Sequence, residues 1–272
     1  MPESQSEYAN SKGIMVHDQI GKQMALPSIP KRIISLVPSQ TELLSDLGLE
    51  QEVVGITKFC IHPDHWFRTK TRIGGTKSPD IEKIRSLEPE LVIANKEENN
   101  RSDIEQIERF CPVFTSQVSN RVDAMEMIKG IGRITHKTHE AEILVNEIQH
   151  AFEGLTFSRT YRCAYLIWKD PWMAAAGNTF INDMLQACGF ENVFRLLERY
   201  PELDISKLRE EGIEILFLSS EPYPFKTNHL KELNKILPDI KILLVDGEMF
   251  SWYGSRMKMA PEYFQRLLTN PE

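Results

Sequence analysis

Ile33 to Val37 form a short apolar run interrupted only by Ser35, the pattern of a strand buried on both faces. The next turns place Leu43, Leu44 and Leu47 at helical spacing, with Ser39 and Glu42 set as a capping box and Gly48 as a stop. "EVVGIT" is the following strand and leads into the loop "KFCIHPDHW" at 58–66. Ser78-Pro79 opens another helix, since proline is tolerated at the first helical position. "ELVIAN", "SDIEQIERF" and "CPVFTS" then read as strand, helix and strand. Upstream, "MVHDQIGKQMALP" at 15–27 alternates around Gly21 and predicts a small hairpin. Strands alternating with helices predict a parallel α/β sheet.

A helix is expected from Val122 to Ile134, and a second from about Thr138 that carries Ala141, Leu144, Val145, Ile148, Phe152 and Leu155 on one face. This second helix lies between two α/β halves, which suits a rigid connector. The halves resemble each other. "DIEKIRSLEPELVIAN" at 80–95 pairs with "DISKLREEGIEILFLS" at 204–219 at an offset of 124, and "LLSDLGLEQEVV" at 43–54 is similar to "DMLQACGFENVF" at 183–194. The expected organisation is a disordered tail at 1–14, an α/β lobe at 15–136, a linker helix at 137–157 and a second α/β lobe at 158–272. Two Rossmann-like lobes joined by a single long helix leave a cleft between them, where ligands usually bind.

Composition narrows the function. Charged residues make up 26% of the 272 and apolar ones 41%, as in ordinary globular proteins, and the net charge of −7 argues against a nucleic-acid partner. No stretch reaches the roughly 18 apolar residues of a membrane span. The polar start "MPESQSEYANSKG" lacks the apolar core of a secretory signal and points to the cytoplasm, with the periplasm or cell surface as the alternative if the N-terminus is trimmed. Four cysteines without a paired spacing fit a reducing compartment.

The 58–66 loop holds Cys60, His62, Asp64 and His65, all metal-ligand types. A zinc site from Cys60, His62 and His65 needs a fourth ligand from elsewhere, and a Cys60–His62 nucleophile pair lacks a group to orient the histidine. Neither a P-loop nor GxGxxG, GxSxG or HExxH is present. A third reading is a binding loop, because the segment follows a strand and so sits on the usual ligand side of a parallel sheet. Other strand-end loops carry aromatic residues among Gly, Pro and Ser. They contribute Trp172 and Met173, then Glu221 and Tyr223, then Phe250, Trp252, Tyr253 and Arg256. Aromatic loops meeting at a cleft suit a large, flat, partly apolar ligand.

These stretches resemble the substrate-binding proteins of cobalamin and iron-siderophore ABC importers, from about residue 15 onward. The resemblance rests on "HDQIGKQMALPSIPKRIISLVPSQTELLSDLG", "GGTKSPDIEKIRSLEPELVIA" and "AAAGNTFINDMLQACGFENVF". Cobalamin-type members often carry Cys-x-x-Pro after the second strand, with Tyr before the Pro. Here Cys60 and Pro63 match, and His62 takes the place of the Tyr. The resemblance implies two lobes bridged by a long helix and a non-catalytic monomer that needs no cofactor. It also implies a metal-chelate ligand, a corrinoid in preference to a ferric siderophore or heme, and delivery to an ABC permease. Cys60, His62, Trp172, Met173, Tyr223, Phe250, Trp252, Tyr253 and Arg256 are then the expected cleft lining, with Arg256 pairing an anionic ligand edge. Glu97 and Glu221, matched by the 124-residue offset, are the candidate permease-docking acids. The rival reading is a cytosolic enzyme acting on such a ligand, or a metal-dependent hydrolase built on Cys60, His62 and His65.

Overall fold

A computed structural model describes residues 14–269. The tail expected over 1–14 lies, but for its last residue, outside the described residues. Strands β1 (Ile14–His17) and β2 (Gln23–Leu26) pair antiparallel as the expected hairpin. Strand β3 (Ile33–Ser35) is followed by helix α1 (Pro38–Asp46), strand β4 (Val53–Ile56) and helix α2 (Asp64–Thr69). Next come strand β5 (Thr71–Arg72), the small hairpin of β6 (Gly74–Gly75) and β7 (Ser78–Pro79), helix α3 (Ile81–Ser86) and strand β8 (Leu91–Asn95). Helix α4 (Arg101–Ile107) and strand β9 (Val113–Ser116) complete the lobe. Its sheet is parallel throughout, in the order β5-β4-β3-β8-β9.

Helices α5 (Arg121–Ile134) and α6 (Thr138–Glu153) carry the chain onward. Helix α6 buries Ala141, Leu144, Val145 and Ile148 of the expected stripe, whereas Phe152 is half-buried and Leu155 lies past the end of the helix. The second lobe comprises strand β10 (Tyr161–Trp168), β11 (Met173–Ala174), helix α7 (Phe180–Ala187), β12 (Phe190–Asn192) and a 3-10 turn at Ile205–Arg209. Strand β13 (Ile215–Ser219), helix α8 (Thr227–Ile236), β14 (Lys241–Val245) and helix α9 (Glu248–Ser251) follow. A 3-10 turn at Ser255–Lys258 and helix α10 (Ala260–Thr269) end the described chain. The sheet runs β11-β10-β13-β14, with β12 also paired to β10, and only β11 is antiparallel. Helix α6 packs on α5 and also on α10 and the Ser255–Lys258 turn, so its stripe touches both halves.

The second sheet divides its side chains with period two. Cys163, Tyr165, Ile215 and Phe217 join a core that continues into the first lobe, whereas Ala164, Leu166, Leu216 and Leu218 belong to a separate core on the other face. The 124-residue offset maps β8 onto β13 residue for residue, and Asp80 and Asp204 each cap the segment that precedes its strand. The copies diverge in that segment, which is α-helical in the first lobe and 3-10 in the second.

Two expected helix starts are corrected. Helix α3 begins after Asp80, whose carboxylate accepts from Lys83 N at 3.0 Å, while Ser78-Pro79 lies in β7. An aspartate cap satisfies an orphan N–H that Ser78 is too far away to reach. Asp80→Ala is expected to lower stability by about 1 kcal/mol, read from the urea midpoint at unchanged slope. The Ser39–Glu42 capping box does not form. Val37 occupies the cap position, no side chain caps the first turn, and Glu42 is drawn away to the other lobe.

Candidate functional site

The loops at the carboxyl ends of the two parallel sheets meet at a seam between the lobes. From the first lobe come α1, the 57–63 loop after β4 and residues 96–100 after β8. From the second come the 220–226 loop after β13 and the α9 region after β14. Glu42 on α1 binds Arg256 through two hydrogen bonds, at 2.9 Å to Nε and 2.6 Å to Nη2. Glu248 on α9 lies 2.6 Å from Arg256 Nη1 and 3.4 Å from His62 Nε2. Tyr253 donates its hydroxyl to Glu98 at 3.0 Å, and Arg199 reaches Glu97 at 2.6 Å, with Tyr200 adding a hydroxyl at 3.3 Å. Each of these contacts joins one lobe to the other, except the Arg256–Glu248 pair within the second. The approach is tight at Gly254, where an added Cβ would lie 3.1 Å from the Ser39 carbonyl oxygen.

Glu42, Glu97, Glu98, Glu221 and Glu248 bring five carboxylates to this seam, against the guanidinium groups of Arg199 and Arg256 and the ammonium of Lys77, whose charge acts on Glu98. Burial pushes the Glu98 carboxyl up to about 7, with Tyr253 pulling the other way and the charge of Glu221 adding to the rise. Burial also raises Glu221, offset by hydrogen bonds from Ser251 at 2.5 Å and Trp252 Nε1 at 2.9 Å. Glu248 is raised by burial and held down by Arg256.

The expected site residues separate into three groups. His62, Trp252, Tyr253 and Arg256 converge on the seam, with the His62 ring edge-on to Trp252 at 5.6 Å and the Arg256 guanidinium 4.6 Å from that indole. Arg256 is saturated by Glu42 and Glu248 and is 8% exposed, so it is not open to an anionic ligand edge as expected. Trp172 and Tyr223 sit apart, in an aromatic cluster with Phe225, His229 and the half-exposed Trp168; Met173 is partly buried against the core. Cys60 and Phe250 line no surface. Cys60 is fully buried, with its sulfur 3.0 Å from Thr41 Oγ1 and 3.1 Å from Thr57 Oγ1, and burial raises its thiol. Phe250 is fully buried among Tyr165, Phe217 and Phe264.

His65 is bonded to Glu50 at 3.0 Å, and Trp66 Nε1 donates to the same carboxylate, so His65 is engaged away from Cys60. Among the described residues no three His, Cys, Asp or Glu side chains gather as a metal set. Neither glutamate expected to dock a permease is a free surface acid. Glu97 is engaged by Arg199 and Tyr200, and Glu221 is held inward by Ser251 and Trp252. Sequence reasoning missed Glu42, Glu98, Arg199 and Glu248. Glu98 and Glu248 follow strands β8 and β14, whereas Glu42 carried only a local capping signal on α1 and Arg199 lies in the loop after β12. A groove of about 380 Å³ that includes Arg121, Met125, Phe152 and Asp183 lies beside α5 and α6, away from all of these residues.

A family model described as "Periplasmic binding protein" matches residues 33–236. The chain belongs to that family. Among curated relatives it is similar to the vitamin B12-binding protein of Vibrio campbellii, 24% identical over 195 residues that cover 70% of each chain. Among solved structures it is similar to the periplasmic vitamin B12 binding protein BtuF of Vibrio cholerae, with 18% identity, a TM-score of 0.69, and 87% and 95% of the two chains covered. It is likewise similar to the periplasmic heme binding protein HutB of Vibrio cholerae, with 19% identity, a TM-score of 0.76, and 88% and 98% covered. Membership makes this chain a solute-binding protein with the two-lobe fold, not an enzyme. It also corrects the expected cytoplasmic location, since the family and these solved relatives are periplasmic. No helix among the described residues is long and apolar enough to cross a membrane.

Proposed function

We propose that the seam opens to bind a corrinoid, in preference to heme or a ferric siderophore, for hand-over to an ABC importer. The observation that carries this choice is the charge of the seam. Its carboxylates outnumber its guanidinium groups, and both arginines are already paired with glutamates. Heme presents propionate carboxylates, which would be brought against Glu98, Glu221 and Glu248. Placing like charges together in a partly buried site costs several kcal/mol. A corrinoid instead presents neutral amides around its ring, whose N–H groups donate to carboxylates. Trp252 and Tyr253 offer aromatic surface to the ring once the lobes part. The curated relatives named for vitamin B12 support the same reading.

The test is a titration followed by tryptophan fluorescence with cobalamin, cobinamide, hemin and a ferric siderophore. Cobalamin or cobinamide is expected to bind in the micromolar range or tighter, with hemin at least about tenfold weaker, a difference of about 1.4 kcal/mol. Hemin binding as tightly as the corrinoids sinks the charge argument, and binding of none of the four sinks the chelate reading.

A further inference from the structure

We propose that the open edge of β14 pairs with the same edge of a second copy of this chain, as an antiparallel, two-fold contact that joins the second-lobe sheets of both copies into one. An uncovered strand edge presents N–H and C=O groups that invite another strand, and most edges of the two large sheets are shielded from this. In the first lobe the edge strand β9 is closed by the turn of the N-terminal hairpin. Gln19 N donates to Thr115 O at 3.2 Å, Thr115 N donates to Asp18 Oδ2 at 3.4 Å, and Gln117 N donates to Gln19 Oε1 at 3.1 Å. The opposite edge, β5, is only two residues long. In the second lobe β11 is equally short and is covered by the 199–202 segment, with Ala174 N donating to Pro201 O at 3.2 Å and Ala176 N to Arg199 O at 2.8 Å. Strand β14 has five residues, no proline and an unbroken register, and among the described residues it pairs with β13 alone.

The register decides which groups of β14 face outward. Lys241 N donates to Glu214 O at 3.1 Å and Ser220 N to Val245 O at 3.0 Å, so Lys241, Leu243 and Val245 turn their backbone groups to β13. Alternate residues of a strand bond to opposite neighbours, so Ile242 and Leu244 turn theirs to solvent. Leu244 is 38% exposed although it stands within a strand. A second copy suits this edge. Two antiparallel copies centred on Leu243 set Ile242 of each opposite Leu244 of the other, so every outward N–H of these residues meets a carbonyl. The same register lays the exposed Leu244 against an apolar partner. Each Lys241 then lies opposite Val245 of the other copy and one residue from Asp246, so the charges that approach are opposite in sign. The two lysines themselves stand about 13 Å apart along the strands, beyond a Debye length. No seam residue takes part, so ligand binding and pairing are separable. One strand per copy is a small contact, and a dissociation constant on the order of 100 µM is expected.

The experiment is sedimentation equilibrium of the full chain from about 10 µM to about 1 mM, on either side of that constant. Wild type is expected to pass from monomer to dimer over this range, in place of the monomer that the family resemblance implies. Leu244→Pro and Leu244→Lys should both stay monomeric. Proline at this position removes an outward N–H and no bond to β13, and lysine sets a charge against Ile242 of the other copy. Unchanged thermal unfolding at low concentration shows that the variants are folded. Amide exchange locates the contact. The amides of Ile242 and Leu244 in wild type should exchange about fourfold more slowly at the high concentration than at the low one, as the monomer fraction falls, and those of β9 should not change. Wild type that remains monomeric throughout overturns the proposal. A dimer of unchanged strength in either variant also overturns it, because another face then holds the copies together. Association that continues past the dimer, or protection that does not rise at Ile242 and Leu244, overturns the two-fold register.

Discussion

Arg256→Ala is expected to lower the thermal unfolding midpoint by about 6–12 °C. The guanidinium is 9% exposed at its side chain and stands between Glu42 and Glu248, which are 15% and 16% exposed. Removing one partner of a buried ion pair leaves uncompensated charge and costs about 3–5 kcal/mol. Here two carboxylates on different lobes would remain facing each other, but their residual exposure lets water enter, so about 3 kcal/mol is the better figure. In a chain of this size each kcal/mol moves the midpoint by about 2–4 °C. The pair also joins lobes, so the loss should appear with a lower cooperativity of the transition as well as a lower midpoint. Adding Glu42→Gln to Arg256→Ala removes one of the stranded charges, and the double variant should unfold at a higher temperature than the sum of the single effects gives. Calorimetry of the four proteins measures this directly. A change below about 2 °C in Arg256→Ala means the bridge is solvated in solution and contributes nothing to the joining of the lobes.

The Glu42–Arg256 contact also marks where sequence reading stops. Its partners are 214 residues apart, and locally Glu42 sits three residues after Ser39 in an ideal capping pattern. A local rule cannot anticipate a competing guanidinium that only the closed fold delivers. Strands and the α6 stripe were legible because burial on both faces and helical periodicity leave a direct record in residue order. The 124-residue repeat carried further, down to the register of β8 against β13. Aromatic loops were legible as a group but not one by one. Phe250 and Trp252 are two residues apart in one loop, yet the first is fully buried against Tyr165 and Phe264 while the second meets His62 across the seam. Cys60 and His62 divide in the same way. Residue type suggests what a side chain can do, and the direction in which the loop turns it decides whether it can do it. The polar stretch near residue 1 points to the cytoplasm, whereas the family is periplasmic.

The stability of this protein should fall as pH rises from about 5 to about 8, and Glu98 should account for much of that fall. Its carboxyl stands at about 7 against an ordinary value of 4.5, first because of burial and then because Glu221 and Glu97 add negative charge, with Tyr253 and Lys77 opposing. Between these two values the folded state holds a proton that the unfolded chain has released. Unfolding then releases protons, so stability decreases with pH through this window, is complete below about 4.5, and is lost as pH passes 7. A full shift of this size corresponds to about 3 kcal/mol, and the surface that Glu98 still shares with solvent reduces this to about 2 kcal/mol. Glu221 and Glu248 are raised as well and add to the slope in the same direction. The neutral carboxyl would also relieve the repulsion from Glu221 across the seam, although the Tyr253 hydrogen bond itself favours the ionised form. Glu98→Gln mimics the protonated group and retains an acceptor for the Tyr253 hydroxyl. It is expected to be more stable than wild type at pH 8 by about 2 kcal/mol, equal to it near pH 5, and flatter between the two. Urea unfolding at several pH values reads all three features. A wild-type stability that rises with pH across this interval, or a Gln variant with the same slope as wild type, means that Glu98 is ionised in the folded protein throughout and that the seam carries its full charge at neutral pH.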